Sequence, residues 1–191
     1  MSDQKYIVGV DLGGTSIKVG VVPFDGGKVL GMRSMPTNSD HGAKFVVDRM
    51  VEMIRGCMQD AAHEENIPDE GFIGIGLGSP GPLDRKTGTV IETPNLGWRN
   101  FPLRDLISNS IGLEAELDND ANCATIGEWW VGAGQGVQTL IGVTLGTGNR
   151  ANRVTDLSKS DKKSVVFRKR DGNQDSRRVE ACRLYSESTE E

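Results

Sequence analysis

The sequence predicts an α/β fold, a mixed sheet with flanking helices, and three observations lead there. Two apolar runs rich in β-branched residues are joined by a glycine turn near the amino terminus, and a second glycine turn leads into a third strand. A longer segment then repeats its apolar residues every three and four positions. Beyond it, short apolar runs alternate with further helical stretches. Such alternation is the pattern of a sheet covered by helices.

The first two runs, KYIVGVD and IKVGVV, are joined through LGGTS, so Lys5 to Val22 reads as a β-hairpin. A third strand is expected around Lys28 to Met35, after the Asp25-Gly26-Gly27 turn. From Ala43 to Asn66, the residues Val46, Val47, Met50, Ile54, Met58 and Ala61 fall on one face of an amphipathic helix. Its methionines read as core-filling side chains, and His63 near its end as a partner for the helix dipole. After Pro68, GFIGIGLGSPGP reads as a buried strand delivering a loop. A small hairpin follows over Leu83 to Glu92, then a helix over Arg104–Ser110 and a strand over Glu114–Leu117. Ala121 to Val131 is helical in composition, and Leu140 to Leu145 is a further apolar strand running into Gly146-Thr147-Gly148. The order βββαβαβα matches the core of an actin-like, ribonuclease-H-like ATPase domain.

Composition narrows the functions. With 36% apolar and 26% charged residues the 191-residue chain has the make-up of a soluble globular protein, and its net charge of −5 favours neither nucleic acid nor an anionic membrane. The amino terminus does not have the form of a signal peptide, and no run approaches the roughly 18 apolar residues of a membrane span. Cys57, Cys123 and Cys182 are widely spaced and odd in number, which points away from a disulfide framework or a zinc knuckle. The expected setting is the cytoplasm and the expected partner a small molecule.

Two segments carry candidate chemistry. Asp11-Leu12-Gly13-Gly14-Thr15 sits at the first hairpin turn, where glycines let backbone N–H groups approach an anion. A carboxylate beside a phosphate calls for a cation between them, so Asp11 suggests Mg²⁺ held through water. The alternative is a plain hairpin with a glycine turn. Lys18 either approaches the phosphates or is a solvated strand residue. Asn119 and Asp120, at a strand end that opens a helix, have the chemistry to grip vicinal hydroxyls, and Asp120 can accept the proton of an attacking hydroxyl. Helix capping is the competing reading, and one residue can cap while its neighbour faces a cleft. Glu128 reads as a surface or packing residue.

DLGGTSIKVGVV, GLGSPGPLD, TPNLGW, DNDANCATIGE and TLGTG, in this order from Tyr6 to Gly148, resemble the successive landmarks of ROK sugar kinases. The resemblance implies ATP-dependent phosphorylation of a hexose, with glucose the expected substrate and ATP and Mg²⁺ the cofactors. It implies that Asp11, Gly13, Gly14 and Thr15 form the first phosphate loop, with Lys18 beside it, and that Gly146, Thr147 and Gly148 open the second. Gly81, Thr93 and Asn95 would line the sugar site, Asn119 would hold sugar hydroxyls and Asp120 would be the base. Trp98 would be a packing aromatic near that site, stacking on the sugar being the lesser reading. Full-length relatives of this kind are often homodimers, and no homodimer is expected of this chain.

After Gly148 the resemblance stops. The acidic, histidine-bearing sugar clamp and the cysteine-rich zinc loop expected of the family do not appear, so no zinc is expected in this chain. The 43-residue remainder holds 11 Lys+Arg and 8 Asp+Glu of the chain's 22 and 27, leaving +3 on the tail and −8 on what precedes it. The expected organisation is an actin-like sugar-binding domain over 1–136, the truncated start of a second domain over 137–148, and a polar, disordered tail over 149–191. The strand Leu140 to Leu145 is expected to lack most of its sheet neighbours. Two other functions stay open: a truncated, non-catalytic sugar-binding or regulatory fragment, and a relative of the ROK repressors lacking a DNA-binding module, since only ten residues precede Asp11.

Overall fold

The computed structural model describes residues 4–145, 150–155 and 163–169, the last two stretches and residues 144–145 through their backbone alone. The chain divides into two compact units, residues 1–120 and 121–191, where the sequence reading places its first boundary after residue 136.

In the first unit β1 (Tyr6–Leu12), β2 (Ser16–Pro23) and β3 (Leu30–Pro36) form an antiparallel meander, as the glycine turns predict. Two further strands, β4 (Phe72–Ser79) and β8 (Ala115–Asn119), join parallel to β1, giving a five-stranded sheet of order β3-β2-β1-β4-β8. The sequence between β4 and β8 forms a separate small antiparallel sheet of β5 (Leu83–Asp84), β6 (Thr89–Thr93) and β7 (Trp98–Phe101). The first two make the expected hairpin; β7 is an addition, short and interrupted by the left-handed Asn100 at φ 48°.

Period-2 alternation decides which face of the large sheet is covered. Val8, Val10 and Leu12, with Ile17, Val19, Val21, Ile75, Leu77 and Leu117, are buried in one cluster. The same cluster holds Val46, Val47, Met50, Met53, Ile54, Cys57 and Ala61 of α1 (Ala43–Glu65), which packs on β1, β2 and β3. Met50 and Met53 are core side chains, as the helical spacing implies, while Met58 is only partly buried. The helix stops at Asn66, whose φ of 52° is left-handed, and His63 lies in its last turn. A second helix, α2 (Leu103–Ile111), ends at Gly112 with φ 85° and packs on α1 and β8.

The second unit continues α3 (Asp120–Trp130) and adds β9 (Thr139–Leu145). The Glu128 carboxylate accepts a hydrogen bond from Ala133 N at 3.1 Å, so this residue shapes the turn that ends α3. Here the structure departs from expectation. Strand β9 has neighbours on both edges, β10 (Arg150–Thr155) antiparallel and β11 (Lys163–Lys169) parallel. An apolar strand with two unpaired edges demands hydrogen-bond partners, and the one apolar run of the polar tail supplies one. Val165, Val166 and Phe167 come into register with Ile141, Gly142 and Val143. Disorder is thus not what the structure describes for 150–155 and 163–169; the rest of the tail lies outside the described residues. Among the described residues no helix is long and apolar enough to cross a membrane.

Cys57 gives this core a measurable signature. Its thiol is fully buried and donates to Leu30 O at 3.8 Å, and burial pushes it up from an ordinary 9.0 to about 11, opposed by the nearby Arg33 guanidinium. The folded state therefore holds this proton after the unfolded chain has lost it, so the contribution is intact below pH about 9 and lost as pH rises through 11. Urea denaturation of the wild-type chain and of Cys57→Ala across this range should show a steeper alkaline loss of stability in the wild type. Equal slopes would contradict the placement.

Candidate active site

The site begins with register. Parallel strands point their carboxyl ends the same way, and in open α/β sheets ligands gather at that edge. Asp11 of β1 is level with Gly78 of β4, and Gly78 is level with Asp118 of β8; one residue on, Ser79 is level with Asn119. Two strand spacings separate the outer members of this row, about 10 Å between backbones. Gly78 contributes no side chain to it. The turn after Asp11 and the strand end at Asn119–Asp120 thus emerge at one edge of the first unit.

The loop between β1 and β2 is closed by Gly13 N donating to Ser16 O at 2.9 Å. A Cβ on Gly13 would sit 2.8 Å from that same oxygen, and one on Gly14 would sit 3.1 Å from Cβ of Asn95. Asn95, exposed in the β6–β7 turn, therefore lies against the glycine loop, which joins two of the expected segments. Thr15 is exposed at the loop's tip. Lys18 is exposed on β2 as the cross-strand partner of Asp11.

The second side of the site is the loop that follows β4. Gly81 has φ +92° and passes over β6, where a Cβ would meet Glu92 O at 2.3 Å. No other residue fits there without moving backbone. The side-chain amide of Asn119 donates to Ser79 O at 3.5 Å and Gly81 O at 3.4 Å, which ties the end of β8 to this loop. Asp120 follows directly, half-buried, as the first residue of α3.

Thr93 is placed differently from expectation. It is 1% exposed, beneath Gly81, so it supports the loop that follows β4 instead of presenting its side chain to solvent. Its hydroxyl and the indole N–H of Trp98, its cross-strand partner, are buried without a protein partner. Trp98 packs on Phe101 with ring centroids 4.4 Å apart, the packing role expected of it. Gly146, Thr147 and Gly148 lie outside the described residues.

Sequence reasoning missed three contributors. Asp118 accepts from its neighbour's N–H, Asn119 N, at 2.7 Å and pairs with Arg85 Nε at 3.3 Å, so the carboxylate shapes the turn that presents Asn119 and Asp120. Thr37, fully buried after β3, bonds to the glycine loop. Asp118 stands in the quoted DND run, where its role was readable; Arg85 and Thr37 had no local signal, because their partners are distant in sequence. Among the described residues no group of three or more His, Cys, Asp or Glu is placed to hold a metal ion. A cation at Asp11 would be held mainly through water, which suits Mg²⁺.

Comparison with known proteins shows the family. Residues 7–152 match the ROK family. The chain is 38% identical over 148 residues to a glucokinase of Halalkalibacterium halodurans, covering 78% of this chain and 43% of that protein. It is 39% identical over 150 residues to a glucokinase of Thermotoga maritima, covering 78% and 44%. The chain thus spans less than half the length of the glucokinases it matches. Its structure is similar to that of a Streptomyces griseus ROK family glucokinase in complex with glucose and AMPPNP, with TM-score 0.65 and 34% identity over 79% of this chain and 45% of the other. A xylose repressor of Caldicellulosiruptor bescii also matches, at 29% identity over 81% of this chain and 37% of that protein. A match over three quarters of the chain, with a mixed sheet of this order, makes it a member of the ROK family, with the actin-like fold of the ROK sugar kinases.

Proposed function

We propose that this chain forms the sugar-binding and first phosphate-binding part of an ATP-dependent hexose kinase with glucose as its substrate, working in the cytoplasm. The observation that carries the reading is the shared edge: the glycine loop after Asp11 and the Asn119–Asp120 strand end lie on strands in one register. Phosphoryl transfer demands little covalent chemistry from a protein and much positioning, so a phosphate cradle beside a hydroxyl grip is the essential juxtaposition. The glucokinase relatives support glucose as the hexose.

In this mechanism the amides and Thr15 hydroxyl of the glycine loop orient the phosphates. Asn119, fixed by its bonds to the Ser79 and Gly81 carbonyls, orients sugar hydroxyls. Asp120 takes the proton from the attacking hydroxyl as the new O–P bond forms and the bond to the leaving phosphate breaks. Mg²⁺, when bound through water at Asp11, would neutralise charge on the phosphoryl group. A second reading, a sugar-sensing protein without turnover, draws on the match to a xylose repressor.

Transfer requires both sides of a cleft, so the 191 residues by themselves should phosphorylate glucose at a negligible rate in a coupled assay. A chimera carrying residues 1–152 in place of the matching segment of the Thermotoga maritima glucokinase should be active, and Asp120→Asn should lower its kcat about 10²–10⁴-fold. A folded chimera that binds glucose yet turns nothing over would favour the sensing protein. Full activity of Asp120→Asn would remove the proposed base.

A further inference from the structure

Thr37 makes two hydrogen bonds to the glycine loop from 24 and 22 residues away in sequence. Its hydroxyl donates to Gly13 O at 2.7 Å and its N–H donates to Thr15 O at 2.9 Å. The residue is completely buried. Its neighbours pin it: Pro36 before it has a fixed φ and no N–H to offer, and Asn38 after it turns sharply away with φ 48°. Arg49 of α1 holds the Pro36 carbonyl with its guanidinium.

The hydroxyl bond has a consequence for the adjoining peptide. Across a trans peptide the C=O of one residue and the N–H of the next point in opposite directions. Capturing Gly13 O from the buried side therefore turns the N–H of Gly14 outward. A peptide between two glycines is the kind most able to rotate as a unit, because neither residue has a Cβ to forbid either sign of φ. The rotated form would present a carbonyl oxygen at the surface of the loop, and that oxygen repels a phosphate where an N–H attracts it.

We infer that Thr37 is a positioning residue for phosphate, its hydroxyl selecting the orientation of the Gly13–Gly14 peptide in which the Gly14 amide faces a nucleotide phosphate. The inference rests on the kinase reading of the glycine loop. The Thr15 carbonyl, held by a backbone N–H, belongs to the fold and survives substitution of the side chain; the Gly13 bond does not. Thr37→Val removes the hydroxyl at nearly constant shape, and Thr37→Ser restores it.

The test is titration of the folded 191-residue chain and both variants with Mg·AMPPNP and, separately, with glucose, followed by amide NMR. Loss of one net hydrogen bond's worth of preorganisation predicts a Kd for Mg·AMPPNP raised about 5–10-fold in Thr37→Val. Glucose binding should hold within about two-fold, with nucleotide affinity returning in Thr37→Ser, on the same scale. The Gly14 amide resonance should move in Thr37→Val and return in Thr37→Ser. Unchanged nucleotide affinity in Thr37→Val, or equal losses for glucose and nucleotide, would overturn the inference alone. No binding of Mg·AMPPNP by the wild-type chain would overturn the phosphate-loop reading as well.

Discussion

Everything proposed for this site depends on the parallel register of β1, β4 and β8. Backbone hydrogen bonding sets Asp11, Gly78 and Asp118 level with one another, and the pleat puts the two carboxylates on one face. A slip of one residue in either pairing would exchange the faces, sending Asp11 or Asp118 into the core and Leu77 or Leu117 to the surface. Burial of Val10, Leu77 and Leu117 against the helices opposes such a slip. The hydrophobic core thus specifies where the carboxylates stand, although it touches none of the chemistry.

The loops at that edge are held by contacts from far along the chain. Asn95 lies against Gly14, Asn119 spans the Ser79 and Gly81 carbonyls, Arg85 reaches Asp118, and Thr37 clasps the glycine loop. Glycine permits these approaches at Gly81 and Gly14, but permission also means freedom to move. Polar side chains brought in from distant segments restrict that freedom at Gly13 and Gly81. Thr93 serves the same end from below, packed under the Gly81 loop with little solvent contact.

Much of the fold was legible because its signals are local. Alternation in KYIVGVD and IKVGVV shows strands, and the three-and-four spacing from Val46 to Ala61 shows α1. The motif segments also stood out, since Asp, Asn and Gly cluster where a backbone turns. What stayed hidden needed partners that no window contains. Thr37 looks like any polar residue after a strand until its bond to Gly13 is seen. Thr93, expected to line the sugar site, is buried beneath Gly81, which no local window foretells. The tail misled for a related reason: β10 and β11 have weak patterns of their own and gain order by pairing with β9, a non-local contact.

One measurement bears most directly on the central claim that the Asp11 loop and the Asn119–Asp120 turn serve a single cleft. With Mn²⁺ replacing Mg²⁺ on bound AMPPNP and glucose present, paramagnetic broadening of backbone amides maps what lies near the metal. The account predicts broadening at Gly13, Gly14 and Thr15 together with Asn119 and Asp120, while Met50, Met53 and Ile54 on the opposite side of the sheet stay sharp. Broadening at only one of the two segments, or at the helix, would contradict it.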